Sequence, residues 1–257
     1  MIFERGIIDA YLRDENIKEA PYAVLLEHFT QPDGKRKDVV KELCSQLEDI
    51  VEEFPTFNPK LWMALFPDMG KKLEDVRIIA VVGCKENRLL VQEDETLIFI
   101  DLIHIADYTR IVSQMVYVLQ NYVTFELARL CIRRDFPIHS RKYMDLLNHL
   151  TFTNGLTNYL AWNEDCAQYR FYMEKYEPRK EKAFGLLAQA MEVENKALQH
   201  KILISSTSGD FWNQFPAVAG MFYFDDIYRD LGKDGIQLLY RHGPKSFIQT
   251  IFHGGNL

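Results

Sequence analysis

The chain has 257 residues, of which 47% are hydrophobic and 26% are charged. This content is sufficient for a substantial core and excludes an intrinsically disordered chain. The formal net charge is -7 and no basic run is present, which argues against binding to nucleic acid or to an anionic membrane surface.

The N-terminal sequence lacks the apolar core of a signal peptide, because Glu4, Arg5 and Asp9 interrupt it. No stretch approaches the ~20 apolar residues that span a bilayer. The cysteines are far apart and form no CxxC pair, which predicts reduced thiols; they are Cys44, Cys84, Cys131 and Cys166. We therefore expect a cytoplasmic protein that is not associated with a membrane.

The first 60 residues are predicted to be mostly helical. Residues 1–30 and the stretch VVKELCSQLEDIVEEF both carry apolar residues at helical spacing, and the polar residues 31–38 between them predict a loop. Residues 54–72 hold three prolines and a glycine, which favours a loop with short helical turns. We expect the helices of residues 1–60 to pack on the body formed by residues 61–257.

A small sheet is predicted over about residues 76–103. The runs VRIIAVVG, RLLVQ and TLIFIDL are short, apolar and separated by polar residues, as in a hairpin-like sheet. The rest of the body, residues 108–257, has helical patterns: a long apolar helix ending at Pro137, then helices over about 140–162, 178–200 and 211–232, the last closed by Gly232. A sheet followed by a helical body predicts an α+β fold.

The long apolar helix contains an incomplete metal-binding motif. In zinc peptidases the motif His-Glu-x-x-His places two imidazoles on one helix face and a general-base glutamate between them. Here the corresponding residues are Phe125, Glu126 and Arg129. A phenyl ring offers no lone pair and a guanidinium repels a cation, so only Glu126 is retained.

The order of the surrounding segments resembles the gluzincin-type zinc metallopeptidases. After the sheet and the FELAR helix comes TNGLTNYLA, which is similar to the Glu-Gly-Leu-Ala stretch of that family, with Asn154 in the place of the third ligand and Gly155 in the place of its glycine. Near the end, Gly243, Pro244 and Phe247 match a Gly-Pro-x-x-Phe stretch. The resemblance covers about residues 61–252.

The resemblance implies a gluzincin-like fold whose zinc has been lost. Its degenerate ligand positions would be Phe125, Arg129 and Asn154, and its cleft would include Glu126, Gly155 and Tyr223. No metal ligand is expected elsewhere, because no two histidines have i, i+3 or i, i+4 spacing; they are His28, His104, His139, His149, His200, His242 and His253.

Two interpretations of the Arg129 guanidinium remain open. It would replace the charge of the lost metal, pairing with Glu126 three residues away and with the amide oxygen of Asn154. Alternatively, Glu126 and Arg129 form a solvated pair on an exposed helix turn.

The sequence leads to two hypotheses about function, of which the first is favoured. The chain would be a non-catalytic pseudo-metallopeptidase that retains a cleft for a peptide, a protein partner or a small ligand. The alternative is a hydrolase with a reorganised metal site or with non-zinc chemistry that uses Glu126. The segment RHGPKSF could bind an anion through Arg241, His242 and Lys245, but a turn between helices is the favoured interpretation.

Overall fold

Helices dominate the computed structural model, which describes residues 1–26, 30–54, 56–84, 87–92, 95–162 and 171–254. The strands in these residues are β1 (Ile2–Glu4), β2 (Val76–Val81), β3 (Arg88–Val91) and β4 (Thr96–Asp101). The α-helices are α1 (Gly6–Leu12), α2 (Lys37–Glu53), α3 (Pro59–Leu65), α4 (Met69–Lys72), α5 (Leu102–Ala106), α6 (Val112–Asp135), α7 (Tyr143–Ala161), α8 (Glu177–Met191), α9 (Lys196–Ser205), α10 (Phe215–His242) and α11 (Phe247–His253). A small sheet thus accompanies many helices, and the predicted α+β class is confirmed.

The chain divides into two compact units. Unit 1 comprises Met1–Thr56 and Asp68–Glu126, and unit 2 comprises Phe57–Pro67 and Leu127–Leu257. The first 56 residues cluster with the sheet because β1 is one of its strands. The expected packing of residues 1–60 on a body formed by residues 61–257 stays a prediction.

The sheet of unit 1 has β2 and β4 at its centre, in the order β1-β2-β4-β3. Strands β1 and β4 run parallel to β2, with Ile79 opposite Phe99, whereas β3 is antiparallel to β4. Strands buried on both faces have continuous apolar sequences, which explains VRIIAV and TLIFI. The predicted hairpin-like pairing is limited to β3 and β4, because β2 pairs with β4 and β1.

Strand β1 is a structural element that the sequence did not predict. Residues 2–4 were expected in a helix, but they pair with residues 77–79 of β2. The Arg77 guanidinium joins the strand to its surroundings, with Nη1 2.8 Å from Glu4 Oε1 and Nε 2.9 Å from Glu95 Oε1. Main-chain pairing and the two ion pairs of Arg77 together hold this strand of only three residues.

Helix α5 begins directly after β4 because Asp101 caps it. Asp101 Oδ1 accepts hydrogen bonds from the backbone amides of Ile103 at 2.9 Å and His104 at 3.1 Å. Its other oxygen accepts from the amide of Cys84 at 2.6 Å. A buried carboxylate thus satisfies three backbone donors at the point where the chain changes from strand to helix.

Helices α7 and α10 of unit 2 cross at two glycines. A Cβ atom on Gly155 would lie 2.7 Å from the Gly220 Cα, and one on Gly220 would lie 2.1 Å from the carbonyl oxygen of Thr151. Neither distance is compatible with a side chain, so the two backbones touch. Close approach of this kind requires glycine at both positions.

An aromatic cluster lies beside this crossing. The Phe152 ring of α7 packs edge-on against Phe136 at 5.3 Å, Phe224 at 5.6 Å and Phe247 at 5.1 Å between ring centroids. Phe152, Phe224 and Phe247 are almost completely buried. Edge-to-face contacts of this type add to the hydrophobic stabilisation of the core.

Two predicted helix boundaries can be compared with the structure. Gly232 ends one helical segment, as predicted: at φ 64° and ψ -156° it is not helical, and a second segment of α10 continues after this kink to His242. The predicted helix over 178–200 is divided into α8 and α9, because Asn195 caps a new helix through a 3.0 Å bond from the amide of Leu198.

Asn58 ties the segment before α3 to the end of α7. Its side-chain nitrogen donates to the carbonyl oxygens of Leu160 at 3.1 Å and Trp162 at 2.7 Å. Asn58 is buried and has a positive φ of 55°, which asparagine tolerates better than most residues. One amide therefore satisfies carbonyls that a helix end leaves without partners.

We expect Gly220→Ala to lower the free energy of unfolding by about 1–3 kcal/mol, because the added methyl overlaps the Thr151 carbonyl. Gly185→Ala on α8 is the matched control: nothing lies within 4 Å of its Cβ position, so it should raise stability by about 0.5–1 kcal/mol. Urea unfolding of both variants measures the difference. Equal effects would contradict the close crossing.

We expect Asn58→Ala to destabilise the protein by about 1–3 kcal/mol, since buried carbonyls lose their donor. Asn58→Gly removes the same amide but suits the positive φ, so it should lose less than the alanine variant. Urea unfolding of both variants compares the contribution of the side-chain amide with that of the positive φ. A glycine variant as stable as the original protein would show that the amide contributes nothing.

Candidate functional site

The FELAR segment lies on helix α6, as the sequence predicts. Glu126 is 4% exposed, whereas Phe125 and Arg129 are half-buried. Phe125 and Glu126 fall in unit 1, and Arg129, Asn154, Gly155 and Tyr223 fall in unit 2. Burial of Glu126 does not match a solvated pair on an exposed turn; the pairing of Arg129 with Glu126 and Asn154 stays a prediction.

Asn154 and Gly155 lie in the middle of α7. Asn154 is half-buried, and its main-chain oxygen accepts a 2.7 Å hydrogen bond from the side chain of Asn158. Gly155 is buried at the crossing with Gly220, where it contacts the α10 backbone. Gly155 therefore has a packing role that is sufficient to explain a glycine at this position.

Tyr223 projects from α10 toward α11. Its ring centroid is 5.7 Å from that of Phe247, and its hydroxyl donates to the carbonyl oxygen of Thr250 at 3.4 Å. Burial, followed by the nearby Asp226 carboxylate, raises the pKa of the Tyr223 phenol. Its predicted place in a cleft stays a prediction.

The described residues contain no group of three or more His, Cys, Asp or Glu side chains that could hold a metal ion. His28 and Cys166 lie outside the residues that the structure describes. The expected loss of zinc therefore stays a prediction.

Unit 2 contains a cavity of about 370 Å³, here called the unit 2 cavity. Three segments line it: residues 137–140 after α6, the first turns of α7, and residues 244–246 between α10 and α11. The α7 residues in its wall are Asp145, Leu146, Asn148 and His149. Its volume lies within the ~300–1,000 Å³ range that is usual for small-molecule sites.

Asn148 fixes the start of α11, directly after the cavity wall formed by residues 244–246. Its side-chain oxygen accepts a 2.8 Å hydrogen bond from the backbone amide of Ile248, and its side-chain nitrogen donates to the Met144 carbonyl at 2.8 Å. Asn148 is buried, so these bonds are shielded from water. The start of α11 is thereby held against α7, and the cavity has a defined edge.

His149 supplies a buried imidazole to the cavity. It is 7% exposed, and its Nε2 lies 3.3 Å from the Thr153 hydroxyl. Burial, and then the positive charge of Arg133, lower the pKa of His149 below its ordinary value. The imidazole is therefore neutral at pH 7 and acts as a hydrogen-bonding group rather than as a cation.

The opposite wall is a tight turn after α10. Gly243 has φ 69°, and a Cβ there would lie 2.6 Å from the ring of Phe136. Ser246 also has a positive φ, of 59°. The segment RHGPKSF is thus a turn between helices, and it places Lys245 in the lining of the cavity.

Acidic groups at the cavity already accept hydrogen bonds from neighbouring hydroxyls. The Ser140 hydroxyl donates to the Asp145 carboxylate, and Ser140 Oγ also accepts from the amide of Lys142 at 3.2 Å. Beyond the lining, the Tyr240 hydroxyl donates to Asp135. Each carboxylate thus has one hydroxyl donor among its partners.

Comparisons with protein-family models, with curated proteins and with solved structures found no match. Among the described helices, none is long and apolar enough to cross a membrane.

Sequence reasoning treated His149 as an isolated histidine and did not identify the cavity. Its walls come from segments about 100 residues apart, joined by the Asn148–Ile248 bond, so no local pattern reports it. The usable signal was the Gly-Pro turn with Lys245, which had been weighed as an anion site.

We expect stability to fall as pH decreases below ~6.5, the ordinary histidine pKa, because the unfolded chain then binds a proton that folded His149 resists. The loss continues until the pH reaches the lower pKa of the folded state. His149→Gln should remove this part of the pH dependence, whereas His200→Gln, at an exposed position, serves as the control. Urea unfolding from pH 8 to 5 measures both; an unchanged slope in His149→Gln would contradict the assignment.

Proposed function

We propose that this chain is a non-catalytic binding protein on a peptidase-like scaffold, and that its ligand occupies the unit 2 cavity. The observation that carries the proposal is the cavity itself: a small-molecule volume, apolar walls and a buried neutral imidazole. Few polar groups in a mainly apolar pocket are typical of a ligand site.

The peptidase-like part of the proposal rests on the order of motifs. The FELAR sequence lies on α6, TNGLTNYLA lies on α7, and the Gly-Pro stretch connects α10 to α11. Residues that would bind zinc in such a protein are Phe125, Arg129 and Asn154, and none supplies an imidazole or a carboxylate. This substitution favours binding without hydrolysis.

The hydrolase alternative is supported by the burial of Glu126. A carboxylate removed from water can serve as a general base when its surroundings adjust its proton affinity. The hydrolase alternative requires a substrate to reach Glu126, whereas Glu126 is not among the residues that line the unit 2 cavity. The binding proposal therefore uses the site that has both space and polar groups.

A cavity-filling variant tests the proposal. We expect a thermal-shift screen of small metabolites and short peptides to find a ligand that raises the melting temperature, because a ligand bound only by the folded state stabilises it. Leu146→Trp should abolish that shift by filling the cavity, while Leu198→Trp on α9, away from the lining, should leave it intact. A shift that survives Leu146→Trp would place the ligand elsewhere.

Incubation with a peptide library and product analysis by mass spectrometry separates the two functions. The proposal expects no cleavage, with or without added zinc. Cleavage that is lost in a correctly folded Glu126→Gln variant would replace the proposal with the hydrolase alternative.

A further inference from the structure

We infer that the unit 2 cavity binds a small organic anion, an apolar body carrying a single carboxylate. This inference rests on the proposed binding function and specifies its ligand class. It follows from the charges around the cavity, the nature of its walls and the state of its imidazole.

The sequence around the cavity is basic although the chain is acidic. Residues 133–149 and 241–253 together contain six Lys or Arg and two Asp, whereas the whole chain has a net charge of -7. These segments provide or adjoin all three walls of the cavity. A local concentration of positive charge raises the local concentration of anions.

Four of these cations are available to a ligand. Arg141, Lys142, Arg241 and Lys245, here called the flanking cations, are exposed, and each lines the cavity or lies within three residues of one that does. Within the part of the chain that the structure describes, none of the four makes a salt bridge, whereas Arg5, Arg77 and Arg229 are paired with carboxylates. Of the four, Lys245 lines the cavity itself.

The interior of the cavity suits an apolar body. Pro137, Ile138, Leu146 and Pro244 contribute apolar surface, and Ile138 is 54% exposed. An alkyl or aryl group in contact with these side chains would cover surface that is otherwise in water.

The buried imidazole offers a ligand a hydrogen-bonding group without charge, so it does not by itself distinguish an anionic head group from an uncharged one. Its Nε2 lies beside the Thr153 hydroxyl, so Nδ1 is the nitrogen left for a ligand. The neutral ring can take part in one hydrogen bond without adding charge. Recognition of the anion therefore depends on the flanking cations, with Lys245 the nearest candidate.

Three compounds with the same alkyl chain and different head groups test the inference: octanoate, octanol and octylamine. Isothermal titration at pH 7.5 should show octanoate binding on the order of tenfold more tightly than octanol, and octylamine binding more weakly than both, because a charge-assisted hydrogen bond is gained only with the carboxylate. Raising the salt concentration should reduce the advantage of octanoate.

Lys245→Gln should remove most of the octanoate advantage and leave octanol binding unchanged. Lys201→Gln, an exposed lysine of α9 away from the cavity, is the matched control and should bind octanoate like the original protein. Equal affinities for octanoate and octanol, or no effect of Lys245→Gln, would overturn the inference.

The carboxylate has two possible sources, a free organic acid and the C-terminus of a short peptide. N-acetyl-Leu-Leu and its C-terminal amide distinguish them: preference for the acid over the amide with affinity above that of octanoate would assign the site to a peptide end. If a neutral or cationic ligand from the thermal-shift screen is displaced by Leu146→Trp while no carboxylate binds, the inference fails and the binding function stands. If Leu146→Trp affects the binding of no ligand, the proposed binding function and the inference about its ligand class both fail.

Discussion

The backbone contact between Gly155 and Gly220 is the constraint on which unit 2 depends. Because neither helix presents a side chain there, α7 and α10 approach closely enough for Phe152 to reach Phe224 and Phe247. Phe247 opens α11, and the Asn148–Ile248 bond then fixes that helix against α7. The unit 2 cavity lies beside this arrangement, about two helical turns along α7 from the crossing. The position of its walls is therefore set by the helix packing.

Patterns that repeat along the chain were sufficient to predict the fold class and the long helices. The apolar run of α6 and the sheet residues 76–101 are examples, since their buried apolar residues follow one another closely in the sequence. Pairings between distant segments were not predictable. Strand β1 is three residues long and depends on its pairing with β2.

The candidate site was also predictable only in part. The sequence identified Phe125, Glu126 and Arg129 by spacing, but spacing does not report that Glu126 is buried. The sequence also could not show that His149 is neutral, because its pKa is lowered by burial among residues distant in sequence and by Arg133. Lys245 was visible as part of a basic turn, yet its relation to the start of α7 required the folded chain.

The pairing of β1 with β2 has a consequence for biosynthesis. Ile2 meets its partner Arg77 only after some 75 further residues have been added, and the central strand β4 comes later still. At about 5–20 residues per second, residues 2–4 spend on the order of 4–15 s outside their sheet during synthesis. During that interval Ile2 and Phe3 have no strand to pair with, because the edge of the sheet to which β1 is added forms only after residues 76–81 have been made.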